Sequence, residues 1–466
     1  MESHTVFDAI SENSAEPAPI KKSRKLPRLI FGLLLLSLIT LGSLGAIAYF
    51  TLGRLKDNFR SVTLAAAPLF TNKPVYNQIA FVGNDNNVWL VSPDGSNAHK
   101  VTEDGKGYRF PTWAPNGSYL AFIGPDDTNN TALYVTPAGQ NKPTILFNEP
   151  DSAPFYLYWS PNSDSITFLT QERFNLAMRT ANTVAGSSRI LAMGAPFYWV
   201  WSPGGDKLLM HVGGSRAVSD EAHLSILKNQ EETNRIELDL APGRFQAPDW
   251  SADGNYIYYI ASNDQGEEFI YKTHHETLEQ TRITAVAGFA YMVLSPSDKH
   301  IAFLQIEAED RLPFGTAYII ETDGQNRKRL TDSLVGSMYW SPDGTKLALL
   351  TVGLRDEGAT AKIGGLAAPL PQHDSKIIFR WLVYHVESGK LERLASLTPT
   401  RDFLQTVPYF DQYHLSLTFW SPDSRYLLIS KKNNDDDNGA IWVVDTTGQE
   451  EARQVGEGRL AVWSWQ

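Results

Sequence analysis

An all-β chain is predicted: an eight-bladed β-propeller of four-stranded antiparallel blades, closed by the C-terminal strand and preceded by one transmembrane helix. Three observations carry this expectation. A hairpin motif headed by tryptophan recurs along the chain, the two ends of the repeat array are complementary fragments of one blade, and a single uncharged apolar run stands before the array. A seven-bladed ring with one irregular repeat is the alternative count.

The segments fall in order. Residues 1–28 are polar and Pro-containing at first, then basic, and read as a disordered cytoplasmic tail. Residues 29–52 (LIFGLLLLSLITLGSLGAIAYFTL) carry no charge. As a helix they would span about 36 Å at ~1.5 Å per residue, enough for a hydrocarbon core of ~30 Å. Lys21, Lys22, Arg24, Lys25 and Arg28 precede the run, against Arg54, Lys56 and Arg60 after it. The positive-inside bias therefore places the N-terminus in the cytoplasm and the rest outside. A cleaved signal peptide is the rival reading, because Ala46 and Ala48 form an A-x-A pattern. The apolar run is longer than the ~7–15 residues of a usual signal core, which favours an uncleaved anchor. Residues 53–76 read as a linker, and 77–466 as the propeller.

The repeat is W-S-P-D-G followed by a β-rich run. Its copies begin at Trp113, Trp159, Trp201, Trp250, Leu294, Trp340 and Trp420, and the chain ends in WSWQ from Trp463. Spacings run from 42 to 49 residues with one gap of 80, too regular for chance. The tryptophan buries a wide apolar face on a strand. Ser-Pro-Asp-Gly is turn chemistry: Pro presets φ, Asp bonds its own backbone and Gly accepts positive φ. Third strands follow as ALYVT (132–136), EFIYKT (268–273), TAYIIE (316–321), RWLVYHV (380–386) and AIWVVD (440–445), and short fourth strands as RKRLT (327–331). At the array's start, QIAFVG, NVWLVSPDG and HKVT lack a first strand. At its end, RLAVWSW (459–465) has nothing after it. Joined, the fragments complete an eighth blade and close the ring.

Composition narrows the chemistry. With no cysteine, disulfides, zinc–thiolate sites and a Cys nucleophile are excluded. A formal charge of −11 argues against a nucleic-acid partner, which needs a basic track. No P-loop, dinucleotide fingerprint or H-E-x-x-H occurs, so no cofactor, metal or catalytic residue is assigned.

The W-S-P-D-G-x-x-I-A-F hairpin, the I-Y/W-V-D third strand and the R-x-L-T ending resemble the TolB-like, WD-repeat-like β-propeller family over 77–466. The chain departs from true WD repeats, having neither Gly-His nor a terminal Trp-Asp. The resemblance implies a propeller that binds partners rather than performing chemistry. Similar propellers cap prolyl-oligopeptidase-type and dipeptidyl-peptidase-type enzymes, whose G-x-S-x-G elbow is missing here.

In a four-stranded blade, connections 2–3 and 4–1 emerge on one face, and 1–2 and 3–4 on the other. The W-S-P-D-G turns thus line one face uniformly. Two expansions fall on the opposite face, at 353–376 in a 2–3 position and at roughly 395–415 in a 4–1 position. Extended loops on one face of a repeat scaffold are its default binding surface. Arg355, His373, Asp374, Arg401, Asp402, Tyr409, Asp411 and His414 are the candidate binding residues, their rings and charges suiting a polar partner. The bland reading is a set of solvated loop side chains.

Weaker features are set aside. NNDDDNG (433–439) has partial EF-hand spacing, but its twelfth position, Asp445, falls in a predicted strand. His274 and His275, on one strand, would face opposite sides and could not share a metal. The expected function is a non-enzymatic, membrane-anchored extracytoplasmic propeller that binds a protein, peptide or glycan. The alternative is a propeller lyase or hydrolase acting on polysaccharide or peptide from a channel site.

Overall fold

A computed structural model describes residues 77–466 apart from 174, 184–185, 195–196, 214–221, 241, 244–245, 307–313, 355–376 and 434–437. The apolar run 29–52 lies outside the described residues. Among those described, no helix is long and apolar enough to cross a membrane.

The described residues form eight antiparallel sheets arranged as a propeller. Blade 1 joins strands Ile79–Gly83, Val88–Val91 and His99–Lys100 to the C-terminal strand Gly458–Trp463. Blades 2 to 7 follow in chain order, with innermost strands Arg109–Trp113, Ala153–Trp159, Phe197–Trp201, Asp249–Trp250, Phe289–Leu294 and Leu334–Trp340. Blade 8 contains Tyr426–Lys432, Gly439–Asp445 and Arg453–Gly456. Its inner strand is reduced to a single bridge, Trp420 to Leu427.

The expected closure is present. Ile79 pairs with Trp463, Ala80 with Val462, Phe81 with Ala461 and Val82 with Leu460. Gln78 N–H donates to Ser464 Oγ at 3.0 Å, and Trp463 Nε1 to Asn77 Oδ1 at 2.8 Å. Leu460, Ala461, Val462 and Trp463 are buried, so the last strand is core and not trim.

The repeated tryptophan does more than fill space. The indole N–H of Trp159 donates to Thr112 O, that of Trp250 to Val200 O, that of Trp340 to Val293 O and that of Trp420 to Tyr339 O, at 3.0–3.3 Å. Each acceptor is the residue just before the head position of the preceding blade. In these four blades the motif therefore stitches neighbours together as well as burying a ring, whereas the buried indole N–H groups of Trp113 and Trp201 have no such partner. Blade 6 carries Leu294 at this position and has no indole to give. There Asp249 of blade 5 supplies the link, its carboxylate accepting Leu294 N–H at 3.2 Å and Trp250 N–H at 2.9 Å.

The turns explain the rest of the motif. In blades 3 to 8 the motif serine accepts a hydrogen bond from the N–H five residues on, as in Ser341 to Lys346 at 2.9 Å. The glycine position requires positive φ, and Gly344 sits at 68°. Three blades place other residues there: Ser163 at 64°, Asp298 at 57° and Ser424 at 60°. Each of these side chains reaches the preceding blade's turn, accepting from Asn116 N at 3.0 Å, Ala252 N at 2.5 Å and Asp343 N at 3.0 Å respectively. The strained backbone is thus matched by an inter-blade bond.

One local expectation is corrected. His274 is the last residue of strand Glu268–His274, and the chain turns immediately after it. The His274 and His275 rings stack at 5.9 Å, 3° from parallel, instead of pointing to opposite sides.

Candidate binding face

The 4–1 connection between blades 7 and 8 is not an open loop. It folds into a helical turn Arg401–Leu404, a 3-10 turn Val407–Tyr409 and a second helical turn Phe410–Tyr413. Local chemistry starts it: Thr400 caps the first turn by accepting from Phe403 N, and its hydroxyl also donates to Arg459 O. Thr406 donates to Phe403 O at 2.7 Å. Gly439 lets the segment enter close to blades 8 and 1, because a Cβ there would stand 2.5 Å from Thr400 Cγ2 and 2.6 Å from Gly458 O.

These turns lie across the mouth of the ring. Tyr413 packs on Phe110 of blade 2 at 5.7 Å and on Tyr156 of blade 3 at 4.5 Å. Phe410 packs on Tyr291 of blade 6 at 6.0 Å. Blades 2 and 6 stand opposite each other in an eight-membered ring. A single helical turn that touches both must cross the axis. Phe403 wedges between Trp381 and Phe419 at 5.8 and 5.5 Å, fixing the plug to blades 7 and 8.

Polar side chains complete the seal. Gln412 Oε1 accepts from Trp199 N at 2.9 Å, and its Nε2 donates to Trp199 O at 2.9 Å. The amide occupies the channel-side edge of blade 4 as a neighbouring strand would, satisfying groups that would otherwise be orphaned on burial. Tyr156 donates to Gln412 O at 3.1 Å. Asp411 accepts from Ala247 N, just before the inner strand of blade 5, at 2.8 Å. Burial pushes its carboxyl pKa up to about 7, against the opposing pull of backbone N–H groups and the Tyr198 hydroxyl. Burial likewise pushes His414 down to about 4. Asp249, half-buried, is raised to about 7 by desolvation.

The predicted residues therefore separate into three groups. Arg355, His373 and Asp374 lie outside the described residues. Arg401 and Tyr409 are exposed on the plug, and Asp402 is half-buried beside Arg459, with Arg459 Nε 3.4 Å from its carboxylate. Asp411 is 1% exposed and His414 half-buried. Asp411 does not face solvent: its carboxylate turns inwards and accepts from Ala247 N. Sequence reasoning missed Gln412, Asp249, Arg109 and Arg459. Only Asp249 left a trace, in the missing tryptophan at Leu294 of the next repeat.

Beside the plug is a cleft of about 260 Å³, lined by Asn86, Tyr108, Arg109, Phe110, Asp402 and Arg459 among others. It opens on the plugged face, between blades 1 and 2. Phe110 holds φ at 52°, uncommon for a bulky residue, where the register slips between Arg109 and Thr112. Among the described residues, no group of three or more His, Asp or Glu side chains is placed to hold a metal ion.

No family model matches the chain. An uncharacterized protein, Atu1656, from Agrobacterium fabrum (strain C58) is 27% identical over 263 residues, 52% of this chain and 83% of that protein. The structural neighbours include TolB-like propellers. The crystal structure of TolB from Acinetobacter baumannii is 14% identical with a TM-score of 0.36, and the match spans 54% of this chain and 62% of that one, less than two thirds of its length. The dihydro-heme d1 dehydrogenase NirN, in complex with DHE, is 13% identical with a TM-score of 0.51 over 86% of this chain and 77% of that one. At such identity the likeness shows the fold alone.

Proposed function

We propose that the protein is a non-enzymatic, membrane-anchored propeller that captures a protein, peptide or glycan outside the cytoplasm through its plugged face. The plug is the observation that supports this reading. It crosses the axis at one mouth, and its central carboxylate and amide are engaged with backbone groups of the ring rather than presented to a substrate. What this face offers outward is its rim: the exposed Arg401 and Tyr409 and the cleft beside them. The uncharged run 29–52 with its preceding basic cluster supports the anchor and its direction.

The test is partner capture from intact cells by crosslinking, comparing the full chain with a variant lacking 357–371. The variant should fold and lose the captured partner. Unchanged capture would remove this face from consideration. Metal-dependent turnover of a glycan or peptide by the purified protein, abolished by EDTA, would overturn the non-enzymatic reading.

A further inference from the structure

We infer that the cleft between the plug and blades 1 and 2 is a recognition site for a carboxylate carried on a group of about one residue in size, such as the C-terminal residue of a peptide. The inference rests on the proposed binding role of this face and names the chemistry of its ligand.

Charge points to an anion. The chain is acidic overall at −11, yet the residues lining this cleft include two arginines and one carboxylate. Arg459 and Asp402 largely neutralise each other, with Nε and Oδ2 3.4 Å apart. That contact is too long for a good charge-assisted bond, and Arg459 Nε is buried without a hydrogen-bond partner. Arg109 makes no ion pair among the described residues. Its guanidinium has one weak contact, to Pro154 O at 3.4 Å, and the residue is exposed. Two partly unmet guanidinium groups facing one small cleft suit the planar fork of a carboxylate.

The backbone is consistent with a built site. Phe110 is held at positive φ, and the register slips just after Arg109, which stays paired with Ile123 at the end of the inner strand of blade 2. Strained positions persist where the surrounding structure over-determines them, often at ligand clamps. The size of the cleft restricts the ligand: about 260 Å³ lies just below the ~300 Å³ at which drug-sized pockets begin. The aromatic edges of Tyr108 and Phe110 beside the arginines suit an apolar body behind the charged group.

The test is calorimetric titration of the full chain with N-acetyl-leucine, with N-acetyl-leucinamide as the uncharged control. The acid should bind saturably and the amide should not. Arg109→Gln should weaken the acid by about tenfold or more, and Arg109→Lys by less, since it keeps the charge and loses the fork. Asp402→Asn should tighten binding, because it releases Arg459; a gain cannot arise from misfolding. N-acetyl-glutamate α-amide binding as well as N-acetyl-leucine would support carboxylate recognition and widen its source to side chains. Equal binding of acid and amide, wild-type affinity in Arg109→Gln, or preference for inorganic phosphate would overturn the inference. Absence of carboxylate binding while the 357–371 deletion still abolishes partner capture would sink this inference and leave the binding face standing.

Discussion

The two faces of the ring are held by different kinds of hydrogen bond. On the turn face, each serine bonds a backbone five residues away, and the same bond recurs in six blades. On the plugged face, Gln412 and Asp411 bond residues 213 and 164 positions distant, and neither bond recurs. The turn face is therefore a sum of small local terms, each repeated. The plugged face concentrates several unrelated interactions in one segment. Damage to the first should be graded, and damage to the second should be all-or-none.

The sharpest way to break this contrast is to remove what both faces depend on. Deleting 459–466 strips blade 1 of its inner strand and exposes Leu460, Val462 and Trp463. Trp463→Ala alone should cost about 3–5 kcal/mol, read as a lower midpoint in chemical denaturation. A truncated chain that melts like the full one would disprove ring closure.

Next in size is the plug. Phe410→Ala should cost about 3–4 kcal/mol if the segment is core. Gln412→Ala leaves both Trp199 backbone groups unpaired, at about 1–3 kcal/mol each. Faster amide exchange of Trp199 and Ala247 in either variant would show that the plug opens as one unit. Exchange altered at one amide only would mean that the segment is held piecemeal.

The plug also carries a pH signature of its own. Asp411 has a folded pKa raised by burial to about 7, above the ordinary 3.8. A raised folded pKa means that its contribution is fully present below about pH 4 and is lost as pH rises through about 7. Tyr198 and His414 are the nearby titratable groups, but His414 stays neutral throughout that window because burial lowers it to about 4. The Asp411 contribution should therefore keep falling up to about pH 7 and level off above it, and Asp411→Asn should flatten that fall. An unchanged slope in the variant would assign the effect elsewhere, with Asp249 the next group to replace.

The smallest effects belong to single turns. Ser424→Ala removes the bond to Asp343 N and keeps the positive φ, and should cost about 1 kcal/mol. Ser424→Gly removes the bond and also the strain, so its cost should be near zero. If the two variants are equal, the positive φ is not a strain at this position.

Ring, blade order and closure were legible in the chain because each depends on a local pattern that recurs. The two end fragments could be joined on paper, since a fragment without a first strand and a first strand without a blade complete each other; the register of Ile79 with Trp463 came from the structure. The pairing of His274 with His275 was misjudged because alternation holds only inside a strand, and the strand ends at His274. The 395–415 segment was recognised as an insertion, but its role was not, since nothing in ASLTPTRDFLQTVPYFDQYHL announces a plug.

By itself, then, the sequence determined the repeating hairpin, the turn chemistry and the join of the two ends. Each of these rests on neighbours in the chain, or on a periodic position such as the indole donor. Only the tertiary structure decided that Gln412 and Asp411 engage backbone groups of blades 4 and 5, that Phe410 and Tyr413 span opposite blades, and that Arg109 and Arg459 line one cleft. Those contacts join residues more than a hundred positions apart and occur once each. Periodicity carries no information about an interaction that does not repeat.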